Sequence, residues 1–166
     1  MEFVPEGKLE EFFHSQQPDD VQKLVAKAAD APSFKSPEMN LVETYPAADL
    51  PVRTVGFHIG EIEGKSSGGT HRHLCEAVLY ILEGRGYSLI NGERVDYGAG
   101  DAICIPPMSW HSHHTDEDQS LKMIGIWDAK LMESFGLYFN EELGDGQPDA
   151  ERNVRSQVMP DSRDRL

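Results

Sequence analysis

A chain of 166 residues with 39% apolar side chains has material for one domain with a real core and some extension at its ends. Its formal charge of −14 repels phosphate backbones and anionic lipid, which argues against nucleic acid or a membrane surface as partner. The opening MEFVPEGKLEEFF lacks the basic-then-apolar order of a signal peptide, no run is long enough to span a bilayer, and Cys75 and Cys104 make no disulfide framework, so the expected setting is the cytoplasm.

In chain order, the first predicted elements are helical. A short helix covers Lys8 to His14, and a second runs from Pro18 to Ala28, where Val21, Leu24, Val25 and Ala28 fall at helical spacing. Pro18 suits a first helical turn, and Asp19 and Asp20 suit the positive end of the helix dipole. From Ala31 to Pro51 the prolines and lost periodicity predict a surface loop, with a short strand near Val42 to Tyr45.

From Val52 to Asp128 the texture changes to short apolar runs broken by turn residues, the pattern of an all-β sandwich or barrel. The predicted strands are Val52–Glu61, Ala77–Glu83, Gly86–Ile90, Glu93–Tyr97, Ala102–Ile105, His111–Thr115 and Leu121–Trp127. Asn91-Gly92 is the strongest turn signal, since both residues tolerate the positive φ of a tight hairpin. Met132, Phe135 and Phe139 predict a helix from Leu131 to Leu143, and the polar residues beyond Gly144 read as a tail. The expected organisation is a helical extension over 1–50, a barrel over 51–128 and a C-terminal helix with tail over 129–166.

Five of the seven histidines lie between positions 71 and 114. His71 and His73 are two apart, which on a strand aims both imidazoles at one side. Such a pair packs poorly and ligates metals well, although an isolated His-x-His in a strand is more often simply solvated. His111 follows the turn-like Pro106-Pro107-Met108-Ser109 on a later strand and could complete a facial set. The flexible string Ser66-Ser67-Gly68-Gly69 lacks the lysine and helix of a phosphate cradle, and neither a Gly-x-Ser-x-Gly elbow nor zinc-ribbon cysteine spacing is present.

The surrounding grammar decides between the two readings. Gly64, His71-Arg72-His73 and Gly84, then Gly100, Pro106 and His111, resemble the paired motifs of the cupin family, small metal-binding β-barrels. Met108 and Thr115 stand where that family's second motif has glycine and asparagine. The resemblance covers roughly Val55 to Trp127. It implies an antiparallel cupin barrel (a double-stranded β-helix), a divalent metal on His71, His73 and His111, and pairing of two copies as a homodimer.

One departure carries the functional expectation. The family's glutamate ligand falls on Ala77, which shares parity with His71 and His73, whereas Glu76 has outward parity and would reach the metal only through a strand bulge. Three histidines with alanine in that slot look like the gentisate and hydroxynaphthoate ring-cleaving dioxygenases, as do the His-Arg-His opening and Trp110-His111-Ser112-His113. Those enzymes hold two cupin units in a longer chain. The resemblance implies a mononuclear iron(II) dioxygenase of a small hydroxylated aromatic or chelating carboxylic acid, with zinc, manganese or nickel as other metals the imidazoles accept. A non-oxidative lyase or isomerase and a non-catalytic binding module are the alternatives. His113 shares parity with His111, so it reads as a proton-moving residue or as a rim histidine. Arg72 is expected to face away from the metal beside an acidic neighbour, and Cys75 to be buried. Tyr80, Trp110 and Trp127 read as core or pocket wall, His114 as solvated, while His58 and His14 have no context.

Overall fold

Alternating apolar and polar side chains at period two dominate residues 56–127, and such a segment buries its apolar face by curling into a barrel. The computed structural model of the protein describes residues 24–36, 41–67, 69–116 and 118–144. Within them the strands are β1 (Ser33–Ser36), β2 (Leu41–Thr44), β3 (Gly56–Glu63), β4 (Ser66–Ser67), β5 (Thr70–His73), β6 (Ala77–Ile90), β7 (Glu93–Gly98), β8 (Ala102–Ile105), β9 (His111–Thr115), β10 (Ser120–Trp127) and β11 (Asn140–Gly144), with helix α1 (Ala129–Ser134). All pairings are antiparallel in the order β1-β2-β3-β10-β6-β9-β5-β11, with β7 and β8 also on β6 and β4 on β9.

Strand β6 is the spine. Its first half pairs with β10 and β8, its second with β7 and β9. Ala77, Leu79 and Ile81 point into the core, but beyond Gly84 the buried residue is Ser88, so the inward parity changes at the glycine. Gly84 takes φ +79, and a Cβ there would overlap the Ser120 carbonyl. The two strands expected on either side of Gly84 are therefore one bulged strand. With Ile62, Tyr97, Ile105, Leu121 and Met123, the inward residues of β6 form the hydrophobic core. Tyr80, expected in the core or pocket wall, is on the outer face at 45% exposure.

The Asn91-Gly92 hairpin is present, with both residues at positive φ. The Asn91 amide donates to the Trp110 carbonyl at 2.8 Å, and the Asn91 Oδ1 accepts from the Trp110 amide at 3.0 Å. The turn thereby anchors the residue that precedes His111.

Both ends differ from expectation. The predicted helix over 8–14 and most of that over 18–28 lie outside the described residues. Leu24 to Lys27 is not α-helical, Lys27 is extended, and only a single 3-10 turn, Ala28–Asp30, follows. The expected loop instead contributes β1 and β2, and β2 joins the barrel through Leu41 opposite Ile62 and Thr44 opposite Ile59. At the other end the helix stops at Ser134. Gly136, at φ +69, sends its amide to the Glu133 carbonyl while Leu137 bonds the Met132 carbonyl, a turned C-terminus that leaves Phe135 and Leu137 exposed. The chain then returns as β11, and the expected tail beyond Gly144 lies outside the described residues. No helix among them is long and apolar enough to cross a membrane.

Candidate metal centre

His71 lies directly across from His111 in the β5–β9 pairing, and His73 is one pleat further along β5. Register and parity thus bring three imidazoles together. Ring centroids are 4.2 Å apart for His71 and His111, 4.8 Å for His73 and His111, and 5.9 Å for His71 and His73. One nitrogen from each lies within 4.8 Å of the others, the only such three-residue cluster of potential ligands among the described residues.

Hydrogen bonding sets the tautomers. The Nδ1 of His71 faces the Gly69 carbonyl at 3.2 Å, that of His73 the Cys75 carbonyl at 2.8 Å, and that of His111 the Ser109 carbonyl at 2.8 Å. Carbonyl oxygen only accepts, so each Nδ1 carries the proton and each Nε2 keeps its lone pair, as a metal-ligating imidazole requires. Burial drives the His111 pKa down to about 3, with His71 and His73 adding to the effect. Burial lowers His73 as well. Neutral, pre-oriented nitrogens on three convergent side chains fit a divalent first-row ion.

The turn before β9 has the backbone that the sequence motif demands. Met108, in the family's glycine position, takes φ +62, and its amide donates to the His73 carbonyl at 2.7 Å. The loop before one ligand is thereby tied to the strand that carries the other two.

Ala77 faces the cavity as parity required, and Glu76 does not. The Glu76 amide donates to Asp128 Oδ1 at 3.0 Å, and its carboxylate lies on the exposed side near the Cys104 thiol. Arg72 turns away from the imidazoles, pairs with the buried Glu141 and lies over the Trp110 ring at 4.5 Å. Cys75 is buried against the cavity, and burial raises its thiol pKa to about 11. His113 also lines the cavity, with its Nδ1 2.8 Å from Ser88 Oγ and its ring 5.5 Å from that of His111. Burial holds it neutral, well below an ordinary imidazole pKa. His114 is not solvated as expected. Its ring stacks on Tyr87 at 4.8 Å and its Nε2 meets Ser112 Oγ at 2.7 Å.

The cavity, about 290 Å³, is lined by Leu41, Ile62, Leu79, Ile105, Met123 and Trp127 as well as by the imidazoles. Sequence reasoning missed several of its polar residues. Glu43 and Tyr45 enter from β2 and the residue that follows it, His58 from β3, and Asn140 and Glu142 from β11. Asn140 pairs with His73 and Glu142 with His71 in the β11–β5 register, so the C-terminal strand borders the trio. For His58 a signal was available: Gly125, inside a predicted strand, leaves space for a ring across the pairing.

Fold and site together define a cupin-type barrel with a three-imidazole pocket. Residues 58–127 match the cupin domain family. The chain is 32% identical over 88 residues to 1-hydroxy-2-naphthoate 1,2-dioxygenase from Nocardioides sp. (strain KP7), across 52% of this chain and 22% of that protein. Among solved structures, salicylate 1,2-dioxygenase from Pseudoaminobacter salicylatoxidans with gentisate adducts superposes with a TM-score of 0.58 at 19% identity, covering 68% of this chain and 31% of that one. The polyketide cyclase RemF from Streptomyces resistomycificus superposes with a TM-score of 0.54 at 20% identity, covering 61% of this chain and 75% of that one. The chain spans between 18% and 41% of the length of the dioxygenases that it matches in sequence.

Proposed function

We propose that this protein is a mononuclear iron(II) dioxygenase of a small hydroxylated aromatic acid or related chelating carboxylate, with His71, His73 and His111 as metal ligands. One observation carries the reading: three imidazoles with free Nε2 lone pairs converge where the family's carboxylate slot holds alanine. Neutral ligands leave a divalent ion its full charge, which favours an anionic chelating substrate. The sequence similarity to ring-cleaving dioxygenases supports the same reading.

Bound iron(II) would pass electron density from the chelated substrate to dioxygen, so that both oxygen atoms enter the substrate and no outside reductant is needed. The chain's own residues do the rest. Leu41, Ile62, Met123 and Trp127 pack the ring and exclude water, which strengthens electrostatic interactions at the reacting end. His113, on the cavity wall beside His111 with its Nδ1 on Ser88 Oγ, is placed to move the proton that a phenolic hydroxyl releases on chelation.

The test is oxygen uptake by iron-loaded protein across a panel of phenolic acids. The expected result is consumption that requires both iron(II) and one acid, abolished in His111→Ala and reduced about 100-fold or more in His113→Phe. Turnover of a panel acid without oxygen consumption would replace this reading with a non-oxidative lyase or isomerase.

A further inference from the structure

A buried hydrogen-bonded chain starts in the core, away from the three imidazoles, and reaches the cavity through His113. The bulge at Gly84 reverses the parity of β6 and so turns Ser88 inward. There it is fully buried, opposite Val95 of β7 and His113 of β9. Tyr97 enters from β7 across from Gly86, which leaves it room: a Cβ on Gly86 would lie 3.4 Å from Tyr97 Cε2. Ser88 Oγ donates to the Tyr97 hydroxyl oxygen at 3.2 Å, and His113 Nδ1 lies 2.8 Å from the same Oγ.

A serine hydroxyl has one hydrogen to give. Here it goes to Tyr97, so towards His113 the serine oxygen accepts and the Nδ1 carries the ring proton. The lone pair then sits on Nε2. That nitrogen has no hydrogen-bond partner among the described residues, and the half-buried ring lines the cavity 5.5 Å from that of His111. The tautomers of His71, His73 and His111 are fixed by backbone carbonyls, which only accept. That of His113 is fixed by a hydroxyl, which can act either way, so the Tyr97 oxygen decides it one step back. Polar side chains in a barrel core are costly unless bonded, and apolar residues would fill the same space.

We propose that Tyr97 and Ser88 are positioning residues that hold His113 as an acceptor towards the cavity, ready for the hydroxyl proton of the substrate. Only this tautomer can take up a proton at Nε2; the other presents an N–H there. The inference deepens the proposed function and rests on the proton-moving role of His113. Tyr97→Phe tests it sharply, because it removes one oxygen and leaves the Ser88 contact of His113 in place. The freed serine hydrogen then turns to Nδ1, since otherwise it stays buried and unbonded, and the ring proton moves to Nε2.

Long-range proton–nitrogen NMR on zinc-loaded protein with isotope-labelled histidine reads which ring nitrogen carries the proton, and His113→Phe identifies the signals. In the parent, about nine-tenths or more of His113 is expected in the Nδ1–H form. In Tyr97→Phe that share falls below about one half. The carbonyl-fixed tautomers of His71, His73 and His111 stay as they were, which shows that the barrel is intact. Ser88→Ala, which removes the acceptor itself, also lowers the share. A His113 proton on Nε2 in the parent overturns the inference. So does an Nδ1–H share unchanged in Tyr97→Phe or, where that variant fails to fold, in Ser88→Ala. With iron loaded, kcat for oxygen uptake is expected to drop about tenfold in Tyr97→Phe while KM stays within about twofold. An unchanged kcat after the proton has moved overturns the positioning role. The two claims fail separately. A tautomer that moves in a protein consuming no oxygen refutes the dioxygenase and leaves the hydrogen-bonded chain standing; oxygen uptake with the tautomer unmoved does the reverse.

Discussion

Replacing Arg72 by alanine strips a buried carboxylate of its partner on the strand that carries two of the three imidazoles. The Glu141 side chain is 2% exposed, its Oε2 meets Arg72 Nε at 2.5 Å, and its Oε1 has no hydrogen-bond partner among the described residues. Breaking a buried pair from one side costs about 3–5 kcal/mol, because the remaining charge stays buried. Arg72 retains 28% exposure, which screens the pair, so the lower figure of about 3 kcal/mol applies. Loss of the guanidinium over Trp110 adds about 0.5–1 kcal/mol. For a chain of this size that lowers Tm by roughly 6–15 °C. Urea unfolding of the parent, Arg72→Ala, Glu141→Gln and the double variant measures it. The double variant is expected to be more stable than Arg72→Ala alone, since a neutral amide removes the stranded charge. A cost below about 1 kcal/mol with no coupling would show an ordinary surface ion pair, and the reasoning would fail.

Two further outcomes follow from the site. Glu76→Ala is expected to leave metal affinity within about twofold of the parent in a competition titration, because the carboxylate lies outside the cavity; a loss of about tenfold or more would make it a ligand. In metal-free protein the buried neutral imidazoles link stability to pH. His111 has its folded pKa lowered to about 3, below the unfolded value near 6.5, so the unfolded chain binds the proton first as the solution is acidified. Its contribution is intact above about pH 6.5 and declines at about 1.4 kcal/mol per unit as pH falls towards 3, with His73 acting in the same direction. Urea midpoints are expected to drop between pH 7.5 and pH 5, less steeply in His111→Phe, and equal slopes would refute the assignment.

The trio was legible because its geometry is local. Spacing of two gives His71 and His73 one face, and the same parity puts Ala77 inside and Glu76 outside. Motif spacing added His111, and Met108 adopts the positive φ of the glycine that it replaces. The barrel strands were legible from alternation, and the Asn91-Gly92 turn from residue chemistry alone. What was lost depends on long-range pairing. Glu43 and Tyr45 follow a proline-rich stretch and acquire a cavity face only when β2 adds to β3. Glu142 sat in an expected helix because Met132, Phe135 and Phe139 mimic its period, yet Gly136 ends the helix and β11 pairs with β5. His114 has outward parity by strand rules, and it is covered by Tyr87, a neighbour that local sequence does not reveal.

The account rests on the three imidazoles holding a metal. Elemental analysis of protein purified without added metal, beside His111→Ala, tests this most directly. It predicts about one divalent first-row ion per chain in the parent and a near-complete loss in the variant. Metal-free parent protein that takes up no iron, zinc, manganese or nickel on titration, or a variant that retains the parent's full content, would contradict it.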